Sequence, residues 1–392
     1  MSKSIKSAKS TPLPLTLSML PKGTILKQSV GIDVSKDKFQ ACFSQRQLDK
    51  SFRIISSHSY ACNESGFADF SAWVEKHRHG AVELHFLMEA TGVYYENLAY
   101  YLLSKGYRVT VLLANKVKAF AKTLEHRSKT DVIDAKVMAQ MSLERDLPVW
   151  TPPSPKMLTI KRLCRERMAY LGEKTSMSNR LHAQNYSHAP EKMSLKRAQD
   201  FIDFIDKQVK EIEKQVQQVV ESDAYIKERF DKVCTIKGVG LITAATILGE
   251  TNGFTLFENK AQVVRYAGYD VQQFESGISV EKETRISKQG NGHIRKALHF
   301  PSLVVVKSND VFKDLYTRVV STTSIKMKAY VAVQRKLLVL IYTLYKKNVA
   351  FDPNYYQNQM DNQIENSRQE QAPAYAAWPF FEKEFASFFN VL

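Results

Sequence analysis

Two carboxylates, Asp131 and Asp134, lie three positions apart in HRSKTDVIDAKVMAQ, residues 126–140, just after a cluster of cations. On a helix beginning near Thr130, a residue able to serve as N-cap, Asp131 takes the first helical position. An acid there ordinarily does no more than stabilise the positive end of the helix dipole, by ~0.3–1 kcal/mol. At about 100° per residue, however, Asp134 shares an arc with Ile133, Val137, Met138 and Met141, and Asp131 lies at its edge, so the pair is expected to face the protein. Half-buried paired carboxylates are costly unless a cation sits between them, and a metal ion is the natural solution. Two further acids stand where such a site could use them: Asp33, in the apolar run GIDVSKDKF, and Glu89, in FLMEATGVYY. Four carboxylates offer the oxygen-rich shell that Mg²⁺ or Mn²⁺ prefers, and a metal pair ~3.5–4 Å apart stabilises the attacking and leaving oxygens of phosphoryl transfer.

The elements that must position these acids follow from periodicity. SVGIDVS, KFQACFS and SFRIISS predict three strands in a meander. A helix over 67–76, the strand LHFLMEA, a helix over 94–104, the strand YRVTVLL and helical sequence from 115 onward come next. The order β-β-β-α-β-α-β-α predicts a mixed sheet with helices on its faces, in which the first and fourth strands can be neighbours. That adjacency would bring Asp33 and Glu89 to the helix pair. TPPSP at 151–155 then breaks the pattern and marks a domain boundary. From 156 to 232 the chain reads as helical, with Ile202, Ile205, Val209, Ile212, Val216 and Val219 forming a coiled-coil seam. The seam must bury itself against either the helical sequence at 157–185 or a second subunit, two alternatives the spacing leaves open. A third unit spans 233–349, and residues 350–392 form an acidic, aromatic tail.

Lys and Arg number 56 against 40 Asp and Glu, a net charge of +16, which favours a polyanionic partner, nucleic acid first. The four cysteines have no C-x-x-C spacing, so neither a zinc knuckle nor a disulfide framework is indicated and the chain reads as cytoplasmic. Residues 1–28 carry five lysines and no acid and read as a flexible basic arm; no apolar run is long enough to cross a membrane.

Asp33 in GIDVSK, Glu89 in EATGVY and Asp131 with Asp134 in KTDVIDA resemble the four-acid DEDD pattern of the Piv/MooV-type DNA invertases and the related insertion-sequence transposases. Downstream, CTIKGVGLITAATILGE, VVRYAGYDVQQFESG and RISKQGNGHIRKAL are similar, in the same order, to that family's C-terminal domain. The chain departs from the family pattern at Lys237, where proline is usual, at Tyr269 and Val271, and at Ile294; none removes a group expected to act in catalysis. The resemblance implies an α/β, RuvC-like (RNase H-type) catalytic domain over 29–150, followed by the helical section and a mainly helical transposase domain. It implies a transposase or site-specific recombinase in which Ser276, in the S-G step, attacks DNA, assisted by Mg²⁺ or Mn²⁺ held on Asp33, Glu89, Asp131 and Asp134. It also implies donor and target DNA as substrates, a structured noncoding guide RNA that carries sequence choice, and a homo-oligomer, dimer or tetramer, since strand exchange must hold two duplexes.

Beside the resemblance, KGVGLITAATIL reads as a tight glycine turn entering a helix. Either backbone N–H groups near Lys237, Gly238 and Gly240 hold a phosphate, or the glycines permit close helix packing. Arg285, Lys288, Arg295 and Lys296, around KQGNG, form a basic run suited to backbone phosphates, with a solvated surface as the alternative. Two other functions fit part of the pattern: a junction-resolving nuclease that activates water and leaves Ser276 idle, and a nucleic-acid-binding protein with structural acids. A DNA invertase differs in biology more than in chemistry.

Overall fold

The computed structural model describes residues 23–90, 92–124, 130–272, 275–276, 280–281 and 284–354. Most of the basic arm and nearly all of the acidic tail, with Gly277, lie outside the described residues. The chain divides into two compact units at Pro152/Pro153.

The first unit runs β1 (Ile25–Val34), β2 (Lys38–Gln47), β3 (Phe52–Ala61), α1 (Glu64–His77), β4 (Leu84–Glu89), α2 (Tyr95–Ser104), β5 (Arg108–Leu112), α3 (Ala114–Ala121) and α4 (Asp131–Glu144). The first strand starts at Ile25, inside the span read as basic arm, because Ile25 already pairs with Gln47 of β2. The sheet order is β3-β2-β1-β4-β5, with β1 antiparallel to β2 and parallel to β4. This mixed five-stranded sheet is compatible with a RuvC-like domain.

β4 is buried along Leu84–Met88, as expected of a parallel strand covered on both faces. Its side chains alternate. Phe86 and Met88 join the core formed with Phe39, Phe67, Phe70, Leu98 and Leu102, under α1 and α2. Leu87 points the other way, into the core formed with Val117, Phe120, Val137, Met138 and Met141 of α3 and α4. The helices begin on sequence signals: the Asn63 side chain accepts from the Gly66 amide at α1, and Thr130 Oγ1 accepts from the Ile133 amide at α4.

The second unit opens with α5 (Pro155–Asn185) and α6 (Lys192–Glu221), then α7 (Ala224–Cys234), α8 (Leu241–Glu250) and α9 (Lys260–Ala267). Pro155 occupies the first turn of α5, where its missing N–H costs nothing. Short strands β6 (Val271–Gln272), β7 (Glu275–Ser276), β8 (Val280–Glu281) and β9 (Arg285–Ile286) follow, then α10 (Gly292–Ser308), α11 (Asp310–Thr323) and α12 (Lys326–Lys347).

The α6 seam is covered by α5 of the same chain, with Val220 buried at its end where Val219 was expected. The ion pairs Lys174–Asp206, Arg167–Glu213 and Lys156–Asp223 step in opposite directions along the two segments, so the helices form an antiparallel hairpin. The expected line between 232 and 233 falls inside one core: Ile160, Cys164, Ile212 and Val216 of the hairpin pack with Phe230, Ile247, Leu298 and Leu337. The unit also carries a ribbon that the mainly helical expectation omitted, with β6 paired to β9 and β7 to β8.

Candidate active site

Asp33 stands at the end of β1 and Glu89 at the end of β4. The two strands run in parallel register up to Ile32 opposite Met88, so the acids are the next residues along adjoining strands. Both are half-buried. α4 lies against the same strand at backbone distance: a Cβ on Gly31 would fall 2.1 Å from the Ala135 carbonyl oxygen and 2.3 Å from the Ala139 nitrogen. Only glycine permits this approach, and it places the first turn of α4, with Asp131 and Asp134, beside β1.

Asp134 is half-buried at the rim of the α4 core, as its helical phase predicts. Asp131 is exposed, a correction to the expectation that both acids face inward: at the first helical position the packed stripe has not yet begun. It nevertheless lines a small cleft of about 50 Å³ with Asp33, Ser35, Lys38, Gln40 and Ser59. Among the described residues, Lys38 is the one cationic residue of this lining. The donors are all carboxylates, hard oxygen ligands suited to Mg²⁺ or Mn²⁺. In kind they fit such an ion, and they lie on adjoining elements, but among the described residues no three His, Cys, Asp or Glu side chains are gathered at metal-holding distance.

In the second unit, the backbone of Ser276 lies in β7 opposite Val280 of β8. Gly238 has φ +98°, and a Cβ there would lie 2.8 Å from Val304 of α10, so close packing accounts for this glycine. Gly240, the N-cap of α8, has open space around it. Lys237, Arg285, Lys288 and Lys296 are exposed. Arg295 is half-buried, and its Nη1 donates to the Ala267 carbonyl at 2.7 Å, so it closes the end of α9 as well as adding charge.

Sequence reasoning missed a buried carboxylate. Glu250, the last residue of α8, is 4% exposed and receives Arg165 Nε at 2.6 Å and Nη2 at 2.9 Å, with Asn291 Nδ2 at 2.7 Å. Burial alone would raise its carboxyl; the hydrogen bonds from Arg165 and Asn291 outweigh that and hold it below the ordinary value. Asn291 Oδ1 meanwhile accepts from the His293 and Ile294 amides and caps α10. Glu250 therefore ties α5 and α8 to the start of the helix that carries Arg295 and Lys296. The signal was an acid closing the apolar run AATILGE, legible only once α8 is known to be buried.

Two family profiles match the chain. One, DEDD_Tnp_IS110, described as transposase, covers residues 30–184, and a second, described as transposase IS116/IS110/IS902 family, covers 231–317. Pilin gene-inverting proteins of Moraxella bovis and Moraxella lacunata are each 26% identical over 333 residues, 84% of this chain and 99% of theirs. A crystal structure of the Ppx/GppA family member of Aquifex aeolicus matches over 87% of this chain and 99% of that one, at 11% identity and a TM-score of 0.19, a level that establishes no likeness of fold. The two profiles follow one another along more than half of the chain, the first over the four acids and the second over the glycine hairpin and the ribbon: this chain belongs to the IS110-type DEDD transposase family, enzymes of DNA recombination.

Proposed function

We propose that this enzyme transposes an insertion sequence by phosphoryl transfer through a serine nucleophile, with Asp33, Glu89, Asp131 and Asp134 holding Mg²⁺ or Mn²⁺ and with a structured RNA guiding the choice of DNA. The observation that carries the metal reading is the meeting of β1, β4 and α4. Adjoining strand ends present Asp33 and Glu89, and the Gly31 contact presses the helix bearing Asp131 and Asp134 onto the same strand.

In the reaction, the Ser276 oxygen bonds to the phosphorus of one phosphodiester, the bond from that phosphorus to a deoxyribose oxygen breaks, and the departing oxygen takes up a proton. The serine proton passes to a base or to solvent, and attack by a second DNA hydroxyl on the phosphoserine ester reverses the step and joins a new pair of strands. A divalent ion supplies charge stabilisation at the attacking and leaving oxygens when bound. Lys237, Gly240, Arg285, Lys288, Arg295 and Lys296 contribute phosphate contacts that position DNA without reading its sequence, while Gly238 serves packing. Two protomers or more hold the two duplexes. The second reading is inversion of a DNA segment by the same chemistry, favoured by the pilin gene-inverting relatives, whose full length this chain matches.

The test is a denaturing gel of the protein with labelled donor DNA, cognate RNA and Mg²⁺. The expected result is a protein–DNA adduct in the wild type that is absent from Ser276→Ala and from Asp134→Ala. Cleavage without adduct, kept by Ser276→Ala and lost in Asp134→Ala, would leave a water-using RuvC-type nuclease. DNA binding without any cut, unaffected by metal removal, would leave a binding protein.

A further inference from the structure

Helix α10 presents an unusual outer face. Phe300 is 73% exposed, although burying a phenylalanine is worth ~1.5–3 kcal/mol. Lys296 lies four residues before it, Val304 four after and Lys307 seven after, all exposed and all within one arc of the helix. Across its whole length α10 contains no acidic residue. The ring of His299 meets Phe300 edge-on at 5.3 Å between centroids, which restricts the ring without covering it. Beneath the ridge, Pro301 is buried and Val304 is the residue against which Gly238 packs, so the glycine hairpin carrying exposed Lys237 borders the same surface.

We propose that this ridge, Lys296, Phe300 and Lys307 with Lys237 and Gly240 beside it, docks DNA containing unpaired bases, the Phe300 ring stacking on a base and the lysines neutralising flanking phosphates. The chemistry selects that occupant. A duplex hides its base faces, so it would use the lysines and leave the ring wet. An apolar protein partner would gain nothing from the cations around the ring. An unpaired strand offers a π-face and phosphates together, and stacking on an aromatic side chain tolerates any base. The eleven residue steps from Lys296 to Lys307 span about 16 Å of helix, the rise of roughly five nucleotides. Separating the strands for exchange in recombination supplies such bases. The inference rests on DNA as the substrate and not on attack by Ser276.

Binding of the full-length protein to a gapped duplex, the fully paired duplex and single-stranded RNA of the gap sequence, followed by fluorescence anisotropy over the same series of salt concentrations, tests it. Phe300→Ala and Phe300→Leu should each weaken binding to the gapped duplex roughly tenfold while leaving the paired duplex unchanged. Phe300→Trp should keep wild-type affinity and, read against the three native tryptophans, be quenched by gapped DNA. Lys296→Ala should lower the salt dependence by about one unit of slope. Full affinity in Phe300→Leu would overturn the proposal. So would equal losses on both DNAs, a preference for RNA, or Trp emission already shielded in the free protein, which would mean that another protein surface covers the ring. The covalent adduct is a separate readout, so failure here leaves the serine chemistry untouched, and failure there leaves this surface standing.

Discussion

Gly31 and Ala135 meet where no side chain fits: a methyl group on Gly31 would lie 2.1 Å from the Ala135 carbonyl oxygen. The contact sits two residues before Asp33 and one after Asp134, so the same glycine that lets helix and strand touch sets the separation of the acids. Gly31→Ala is therefore expected to push α4 off the sheet, costing ~1–3 kcal/mol or more in urea unfolding, and to abolish DNA cleavage even where the fold survives. Wild-type stability in this variant would mean that the helix does not lie against the strand as described.

Replacing one carboxylate should separate chemistry from folding. Asp33→Asn and Asp134→Asn are expected to leave thermal unfolding within about 1 kcal/mol of wild type, since both positions are only half-buried, while cleavage in Mg²⁺ falls by at least ~100-fold. Chelation of divalent ions should stop cleavage of the wild type in the same assay and leave binding to paired DNA intact.

The two glycines of the α7–α8 turn should part company. Gly238→Ala combines positive φ with a clash against Val304 and is expected to lose ~1–3 kcal/mol of stability. Gly240→Ala adds a methyl into open space at φ −87°, so the fold should barely change. A drop in DNA affinity confined to Gly240→Ala, measured by titration, would assign that turn to phosphate contact; unchanged affinity would leave the turn to packing.

Glu250 predicts an acid-sensitive joint. Its carboxyl is held below the ordinary 4.5 in the folded protein, so its stabilisation is complete above that value and is lost as pH falls below it. Glu250→Gln should flatten this acid limb and cost about 2 kcal/mol at neutral pH, a modest figure because the Arg165 side chain is 47% exposed. An identical acid limb in wild type and variant, followed by circular dichroism, would remove Glu250 from this role.

His85 acts over a higher window. Burial, aided by the Arg108 charge, lowers its pKa from 6.5 to about 4, and its ring bonds Thr110 Oγ1 at 2.8 Å and Ser142 Oγ at 3.0 Å, joining β4, β5 and α4. The unfolded chain takes up the proton first, so stability is full above pH 6.5 and falls by up to ~3 kcal/mol as pH drops towards 4. Urea midpoints at pH 7, 5.5 and 4.5 should show this slope in the wild type and lose it in His85→Gln.

What the sequence by itself determined is local: the short apolar runs of β1 and β4, the Thr130 cap, the helical phase of Asp134 and the 3-4 spacing of the α6 seam each depend on residues a few positions apart. The adjacency of β1 and β4 was legible too, because a meander followed by right-handed crossovers leaves few sheet orders. What tertiary structure decided depends on residues far apart in the chain. The seam found α5, the outward turn of Asp131 followed from where α4 meets the sheet, and Glu250 became a buried joint only when Arg165 and Asn291, 85 and 41 positions away, closed around it. Phe300 belongs with these, since an apolar residue at helical spacing reads as core until the neighbouring helices are placed and the described residues leave one face of α10 uncovered.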